Sequence, residues 1–289
     1  MLKISRNLFT PVLLVAFLLA SCASEGEMGD EVTKQDDKDQ TDDDPNDDQN
    51  NGDDQDDNDD DNDDNGDGDR IDISILVDKF YNDDALVISV GDEFITIESA
   101  NQPDHKSMYY DESNDLYEDY DEPNNPDFKK NPNSIEMQDH VYKIPRYPTE
   151  ATNKETTPMG PMGVAVNSVA FFNQQAAPGD DILEELNTFD QYEGHPAQGG
   201  DYHYHIEPIW LTEDELDKES FLGLLLDGFP VYGPEENGQT VTNDDLDDYH
   251  GHVSATAEFP DGIYHYHITE DLPWINGDGF YGEPGTITQ

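Results

Sequence analysis

Gly163-Val-Ala-Val-Asn-Ser-Val-Ala-Phe-Phe-Asn173 aligns without gaps on Gly223-Leu-Leu-Leu-Asp-Gly-Phe-Pro-Val-Tyr-Gly233, 60 residues further along the chain. Each copy is a glycine, three aliphatic residues, Asn or Asp, a small residue and then two or three apolar residues. The pattern predicts a strand, a tight turn at Asn167-Ser168 or Asp227-Gly228, and a returning strand. Downstream, Gly194-His195 precedes Tyr202-His203-Tyr204-His205, and Gly251-His252 precedes Tyr264-His265-Tyr266-His267. With 15 Tyr and 9 His in 289 residues, two identical Tyr-His-Tyr-His runs are not compositional noise. The period is long for a solenoid, so two copies indicate a duplicated half-domain with pseudo-twofold symmetry, its halves at 160–208 and 220–270.

Outward from the repeat, residues 70–289 hold nearly all the Tyr and Phe and form the one region able to bury a sizeable core. Ile71, Ile73 and Ile75 alternate with polar residues, and Phe94, Ile95 and Ile97 form a second apolar run; both predict short strands. Val141-Tyr-Lys-Ile-Pro145 predicts another. Residues 101–134, rich in Asn, Pro, Asp and Tyr, read as long ordered loops. Helical periodicity is confined to Asp180–Leu186 and Thr212–Leu222. The expected fold class is mainly β: a single β-rich domain with internal duplication, few short helices and long loops.

The N-terminal part is different in kind. Lys3 and Arg6 precede an apolar stretch from Leu8 to Leu19, and Leu19-Ala20-Ser21-Cys22 closes it. Residues 1–22 have the layout of a secretory signal ending in a bacterial lipobox, cleaved before Cys22 so that this cysteine becomes the lipidated first residue of the mature protein. An ordinary signal peptide is the alternative, but the chain's only cysteine falls at this position. Residues 23–69 carry 23 acids and two lysines and almost nothing apolar. Such a segment is expected to be a disordered, extended tether, because it buries too little surface to offset its ordering entropy. Asp63-x-Asn65-x-Asp67-Gly68 matches the first half of a calcium loop, but the twelfth position, where a bidentate Glu belongs, is Ser74. Over the whole chain 69 Asp+Glu face 13 Lys+Arg, a net charge of −56, which excludes a generic nucleic-acid binder. One cysteine excludes an internal disulfide framework, a CxxC zinc site and thioredoxin chemistry.

The tetrapeptides carry the chemistry. On a strand the side chains alternate, so His203 and His205 point one way, roughly 7 Å apart at Cα, and Tyr202 and Tyr204 the other. The same holds for His265 and His267. Two imidazoles at i, i+2 can converge on one metal ion. His195 and His252, in glycine-marked loops just upstream, are the expected third ligands. His105, His250, Asp227 and Glu207 are further options. Imidazole-rich sites without thiolate suit Zn, Cu(II), Ni or Fe(II), and copper or zinc is the expected ion. The tyrosines are expected to fill the core, and Asn167 and Asp227 to serve the turns.

These motifs also carry a likeness. The chain resembles the bacterial YHYH-domain proteins from about Val90 to Gly282. The resemblance takes in Pro103-Asp-His105-Lys, Asn131-Pro-Asn-Ser-Ile135, Gly160-Pro-Met-Gly-Val-Ala-Val-Asn167, Thr188-Phe-Asp190, Gly194-His-Pro196, both tetrapeptides and Leu226-Asp-Gly-Phe-Pro-Val-Tyr-Gly-Pro234. It implies the fold more than an activity. Family members often place one cysteine just before the second Gly-His and another near the end. Here those places, around Tyr249 and within Asn276–Phe280, have none.

Three functional classes remain open. The first is a lipid-anchored cell-envelope protein, on the outer membrane or cell surface, that binds a transition metal. The second is a metalloenzyme, either a metal-dependent hydrolase or a copper oxidase. The third is a structural or adhesive module with a buried His/Tyr hydrogen-bond network. No serine-nucleophile elbow, Walker loop, GxGxxG or HExxH occurs, which leaves non-metal catalysis without support. Apart from the membrane and the ion, no partner is indicated.

Overall fold

The computed structural model describes residues 70–177 and 181–289. The signal segment, Cys22, the acidic stretch and the Asp63–Gly68 motif lie outside these residues.

The strands, in chain order, are β1 Leu86–Val90, β2 Phe94–Ser99, β3 His140–Pro145, β4 Pro161–Ala165, β5 Ala170–Phe172, β6 Gly194–Pro196 and β7 Tyr202–Tyr204 in the first part. The second part has β8 Phe221–Leu225, β9 Pro230–Tyr232, β10 Glu235–Glu236, β11 Gln239–Thr240, β12 Gly251–Ser254, β13 Ile263–His267 and β14 Thr286–Thr288. They form a four-stranded sheet, β1-β2-β3-β14, a small β10-β11 ribbon, and an eight-stranded sheet ordered β12-β13-β9-β8-β4-β5-β7-β6. The domain is mainly β, with few short helices and open sheets.

The eight-stranded sheet is the repeat written in space. In each half the hairpin (β4-β5 or β8-β9) pairs antiparallel, and its second strand runs parallel to the Tyr-His-Tyr-His strand. That strand in turn pairs antiparallel with the Gly-His strand at the sheet edge. At the centre, β4 meets β8 with Val164 opposite Leu224, Gly163 opposite Leu225 and Ala165 opposite Gly223. The repeat equates Val164 with Leu224 and Gly163 with Gly223, so this pairing maps onto itself. A pseudo-twofold axis therefore passes through the Val164–Leu224 pair, perpendicular to the sheet. β4 and β8 are buried along their whole length, which explains their unbroken apolar runs. The hairpins turn where expected: Ser168 and Gly228, at equivalent positions, take φ of 82° and 86°. Ile95 and Ile97 of β2 and Tyr142 and Ile144 of β3 join Val164, Leu222 and Leu224 in one core.

Two expected elements differ. Ile73–Lys79 is a 3-10 helix and not a strand: the Asp72 side chain accepts from the Ser74 amide at its start, and Arg146 pairs with that carboxylate. Ile73 and Leu76, one 3-10 turn apart, are its buried residues, while Ile71 and Ile75 face solvent. Thr212–Leu222 is not one helix. The helical turn spans Trp210–Glu215, and Leu222 belongs to β8, whose pairing with β4 overrides local propensity. Near Asp180–Leu186, a short helix, α1 Ile182–Glu185, continues into a 3-10 turn at Leu186–Thr188. Residues 101–134 carry no named strand or helix. The two family cysteine positions lie side by side here, joined by the bonds Gly277 N–H to Tyr249 O and Asp278 N–H to Asp248 O.

Candidate metal centres

Each Tyr-His-Tyr-His strand sorts its side chains as alternation requires, and each class of side chain has its own partners. The four tyrosines face the core. Tyr202, Tyr204 and Tyr266 are fully buried and Tyr264 nearly so. Tyr202 donates to both carboxylate oxygens of Asp190, at 3.0 and 2.9 Å, and Tyr264 donates to Asp247 at 2.9 Å. Both acids open the same hexapeptide frame, Asp190-Gln-Tyr-Glu-Gly-His195 and Asp247-Asp-Tyr-His-Gly-His252. In each frame the Asp also accepts from the amide two residues on, and the fourth residue has positive φ (Glu193 64°, His250 73°). The glycine before each histidine is required by space: a Cβ at Gly194 or Gly251 would collide with the phenol ring of Tyr202 or Tyr264. The second tyrosines reach the hairpin turns. Tyr204 bonds Asn167 at 3.1 Å and His105 at 2.9 Å, and Tyr266 donates to Asp227 at 2.6 Å.

The histidines face the other way and converge. In the first half, Nε2 of His203 lies 2.9 Å from Nε2 of His205 and 3.1 Å from Nε2 of His195. In the second half, Nε2 of His265 lies 3.1 Å from Nε2 of His267, and the His252 ring stands edge-on to both, at centroid distances of 4.9 and 5.1 Å.

The other ring nitrogen settles which tautomer is present. His203 Nδ1 donates to Asp201 O at 2.9 Å and His205 Nδ1 to Asn173 O at 2.6 Å. The repeat reproduces this, with His265 Nδ1 donating to Ile263 O at 2.9 Å and His267 Nδ1 to Gly233 O at 2.7 Å. Asn173 and Gly233 are the last residues of the aligned segments, so the hairpin positions the histidines of its own half. His195 follows the same rule: Thr188 spends its hydroxyl proton on Glu185 O, so it accepts from His195 Nδ1 at 2.6 Å. Asn131 Nδ2, 3.5 Å from the same nitrogen, has its better acceptor in Pro196 O at 3.1 Å. A carbonyl only accepts, so each Nδ1 so bonded carries the proton and each neutral Nε2 is a bare lone pair.

Lone pairs facing one another at about 3 Å repel unless a cation lies between them. A proton is disfavoured, because burial holds these imidazoles neutral. Burial and the neighbouring His205 push His195 down to about 3, burial pushes His205 down to about 4, and His203 lies well below its ordinary value. His265 is lowered to about 4 and His267 in the same direction, again chiefly by burial. A metal ion fits. The separations lie inside the roughly 4 Å that two nitrogens can span on one ion at about 2.0–2.1 Å each. Nδ1–H bonds to carbonyls are the outer contacts that orient metal-binding imidazoles. His252 Nε2, buried and without a hydrogen-bond partner, supplies the remaining nitrogen of the second group.

A carboxylate stands beside each set, and only Glu236 lies within 4.8 Å of all three histidine donors of its set. Glu185 Oε2 lies 3.5 Å from Nε2 of both His195 and His205. Glu236 Oε1 lies 3.5 Å from His252 Nε2 and 3.8 Å from His265 Nε2, and the Ser254 hydroxyl donates to it. All six principal histidines are thus placed, in two groups of three. The clusters occupy opposite ends of one sheet, with four strands between them, about 24 Å apart along the sheet at the usual strand spacing. The four further options lie elsewhere. His105 is bonded to Tyr204 and His250 to Asn243 and Thr269, Asp227 holds Tyr266 and the Gly282 amide, and Glu207 approaches Lys218. None of the four belongs to either cluster.

Fold and site together define a class: a β protein built by duplication, with one histidine cluster per half on the strand face opposite a buried tyrosine pair. The YHYH protein family profile matches residues 141–241 and 235–279, and over these residues the chain belongs to that family. No curated protein and no solved structure matches the chain.

Proposed function

We propose that the chain is a lipid-anchored cell-envelope protein that holds two transition-metal ions, zinc or copper, one in each half of its duplicated domain. The observation that carries this reading is the convergence of bare Nε2 atoms, 2.9 to 3.1 Å apart, with the two histidines of each His-x-His pair oriented by Nδ1–H bonds that the repeat duplicates. A merely structural network would alternate donors with acceptors, whereas these nitrogens are all acceptors. Three nitrogens and one carboxylate oxygen suit borderline cations and leave no thiolate to favour Cu(I). Glu236 offers the second ion a fourth protein ligand, and Glu185 stands 3.5 Å from two of the three nitrogens at the first, which favours holding an ion over turning over a substrate. The oxidase alternative loses its tyrosines, whose hydroxyls are bonded to Asp190, Asp247, Asn167 and Asp227 on the far side of the strands.

The anchor rests on the lipobox at Cys22, and among the described residues no helix is long and apolar enough to cross a membrane. His203→Ala with His205→Ala, and separately His265→Ala with His267→Ala, should each lower metal uptake by one ion per chain. Cys22→Ser should release the protein from the membrane fraction. Unchanged uptake in both double variants would contradict the metal reading, and unchanged fractionation would contradict the anchor.

A further inference from the structure

The two clusters share a histidine trio but not a setting. The first is enclosed. His195, His203 and His205 are 5%, 2% and 2% exposed. Phe172 stacks on His203 at 3.8 Å between centroids, and Phe189 lies edge-on to His195 at 4.7 Å. The turn bearing Thr188, itself held by the Tyr109 hydroxyl from the long loop, closes over them. The second cluster instead forms the wall of a cavity of about 530 Å³, lined by His265, His267 and Glu236. Both histidines are 1% exposed, their Nε2 atoms face each other at 3.1 Å with no donor between them, and they look onto a space large enough for a hydrated ion. His252 keeps a quarter of its side-chain surface exposed against 6% for His195, whereas the carboxylates Glu236 and Glu185 are alike at 25% and 22%.

The cavity is also charged in one sense. Asp217, Glu219, Glu235, Glu236 and Glu258 line it against a single cation, Lys79, which pairs with Glu258 at 2.6 Å. A cleft lined by one sign of charge concentrates the opposite ion and raises its arrival rate by roughly 10- to 1000-fold.

Building on the metal reading, we propose that the two centres divide the work. The second is the exchange centre, through whose acidic cavity a hydrated divalent cation enters and leaves, and the first is a closed centre that retains its ion. The same cavity would repel anionic metal complexes, so the delivered species is the aqueous cation or a cationic complex of it. The three imidazole donors are of the same kind in both centres. What differs is the path to the ion.

The test uses the full chain loaded with Zn(II) and chased with a chromophoric chelator in excess. Release should be biphasic, with phases differing by at least about tenfold. The fast phase should vanish in His265→Ala/His267→Ala and the slow phase in His203→Ala/His205→Ala. Glu219→Gln with Glu235→Gln keeps every histidine and is expected to slow Zn(II) loading of the fast site severalfold at low salt. That difference should shrink as salt screens the cavity. Two ions released in a single phase, a fast phase belonging to the first cluster, or loading indifferent to the two Glu→Gln changes would overturn the division while leaving two metal sites intact. A chain that takes up no Zn(II) would overturn the metal reading and this inference together.

Discussion

Tyr202 and His203 are adjacent in sequence and opposite in role. The strand sends one into the core, where its hydroxyl meets a buried carboxylate, and the other towards two more imidazoles. Truncation should separate these roles. Tyr202→Ala removes a fully buried aromatic and takes from Asp190 one of its donors, leaving Ser107 and the Tyr192 amide, and should cost about 3–5 kcal/mol in a denaturant titration. It should leave the metal stoichiometry of the folded fraction unchanged. A Tyr202→Ala protein of normal stability that has lost an ion would reverse the assignment. Alternation makes this split legible in the residue order itself, because period two is a property of strands alone. The carboxylates at the clusters are not legible in the same way. Glu185 stands 12 residues after Asn173 and Glu236 stands 3 after Gly233, so the two halves reach the same place by different chain paths and no spacing marks it.

At the scale of elements, the Gly-His strand is a spacer as well as a ligand carrier. Gly194 and Gly251 sit opposite the second tyrosines in the β6–β7 and β12–β13 pairings, Gly194 against Tyr204 and Gly251 against Tyr266, and leave room for the first tyrosine's ring. Gly194→Ala must displace either the Tyr202 ring or β6 itself. It is expected to cost about 1–3 kcal/mol and to weaken ion binding at the first cluster, since His195 moves with its strand. Wild-type stability and affinity in this variant would show that the edge strand is not held as described. The duplicated hairpins and the Tyr-His-Tyr-His strands are readable as strands because their pattern repeats. The Ile71-Ile73-Ile75 alternation misleads because it is a single short instance, and the Asp72 cap with its Arg146 partner decides the segment in favour of a 3-10 turn. Thr212–Leu222 misleads for the opposite reason: its helical residues run into a strand that long-range pairing claims. The frame Asp-x-Tyr-x-Gly-His occurs twice in the chain, and its meaning becomes plain only when Asp190 and Asp247 are seen to hold the first tyrosines.

For the whole molecule, the balance of titrating groups fixes how the metal-free domain should respond to acid. Seven histidines, His105, His195, His203, His205, His250, His265 and His267, have folded values below the ordinary one, mainly through burial. A group lowered in this way binds its proton more readily in the unfolded chain, so its contribution is complete above about pH 6.5 and is lost as pH falls towards the folded value. The slope approaches about 1.4 kcal/mol per pH unit for each such histidine. Asp227, raised by burial to about 6, and Asp190, raised in the same direction, act with the opposite sign, but they are two against seven. Metal-free protein should therefore lose stability steadily between pH 6.5 and about 4, as measured by urea unfolding, and the metal-loaded form should resist until its histidines release the ion. Stability that is flat or rising over that interval would mean that the imidazoles are already charged in the folded state.

The pseudo-twofold sheet places one cluster at each end and gives neither half a ligand belonging to the other, so the central claim reduces to a count. Elemental mass spectrometry of the full chain, produced without a histidine tag and dialysed against zinc- or copper-containing buffer, measures it directly. Two ions per chain is the expected result. A chain that retains none, while remaining folded, would contradict the account.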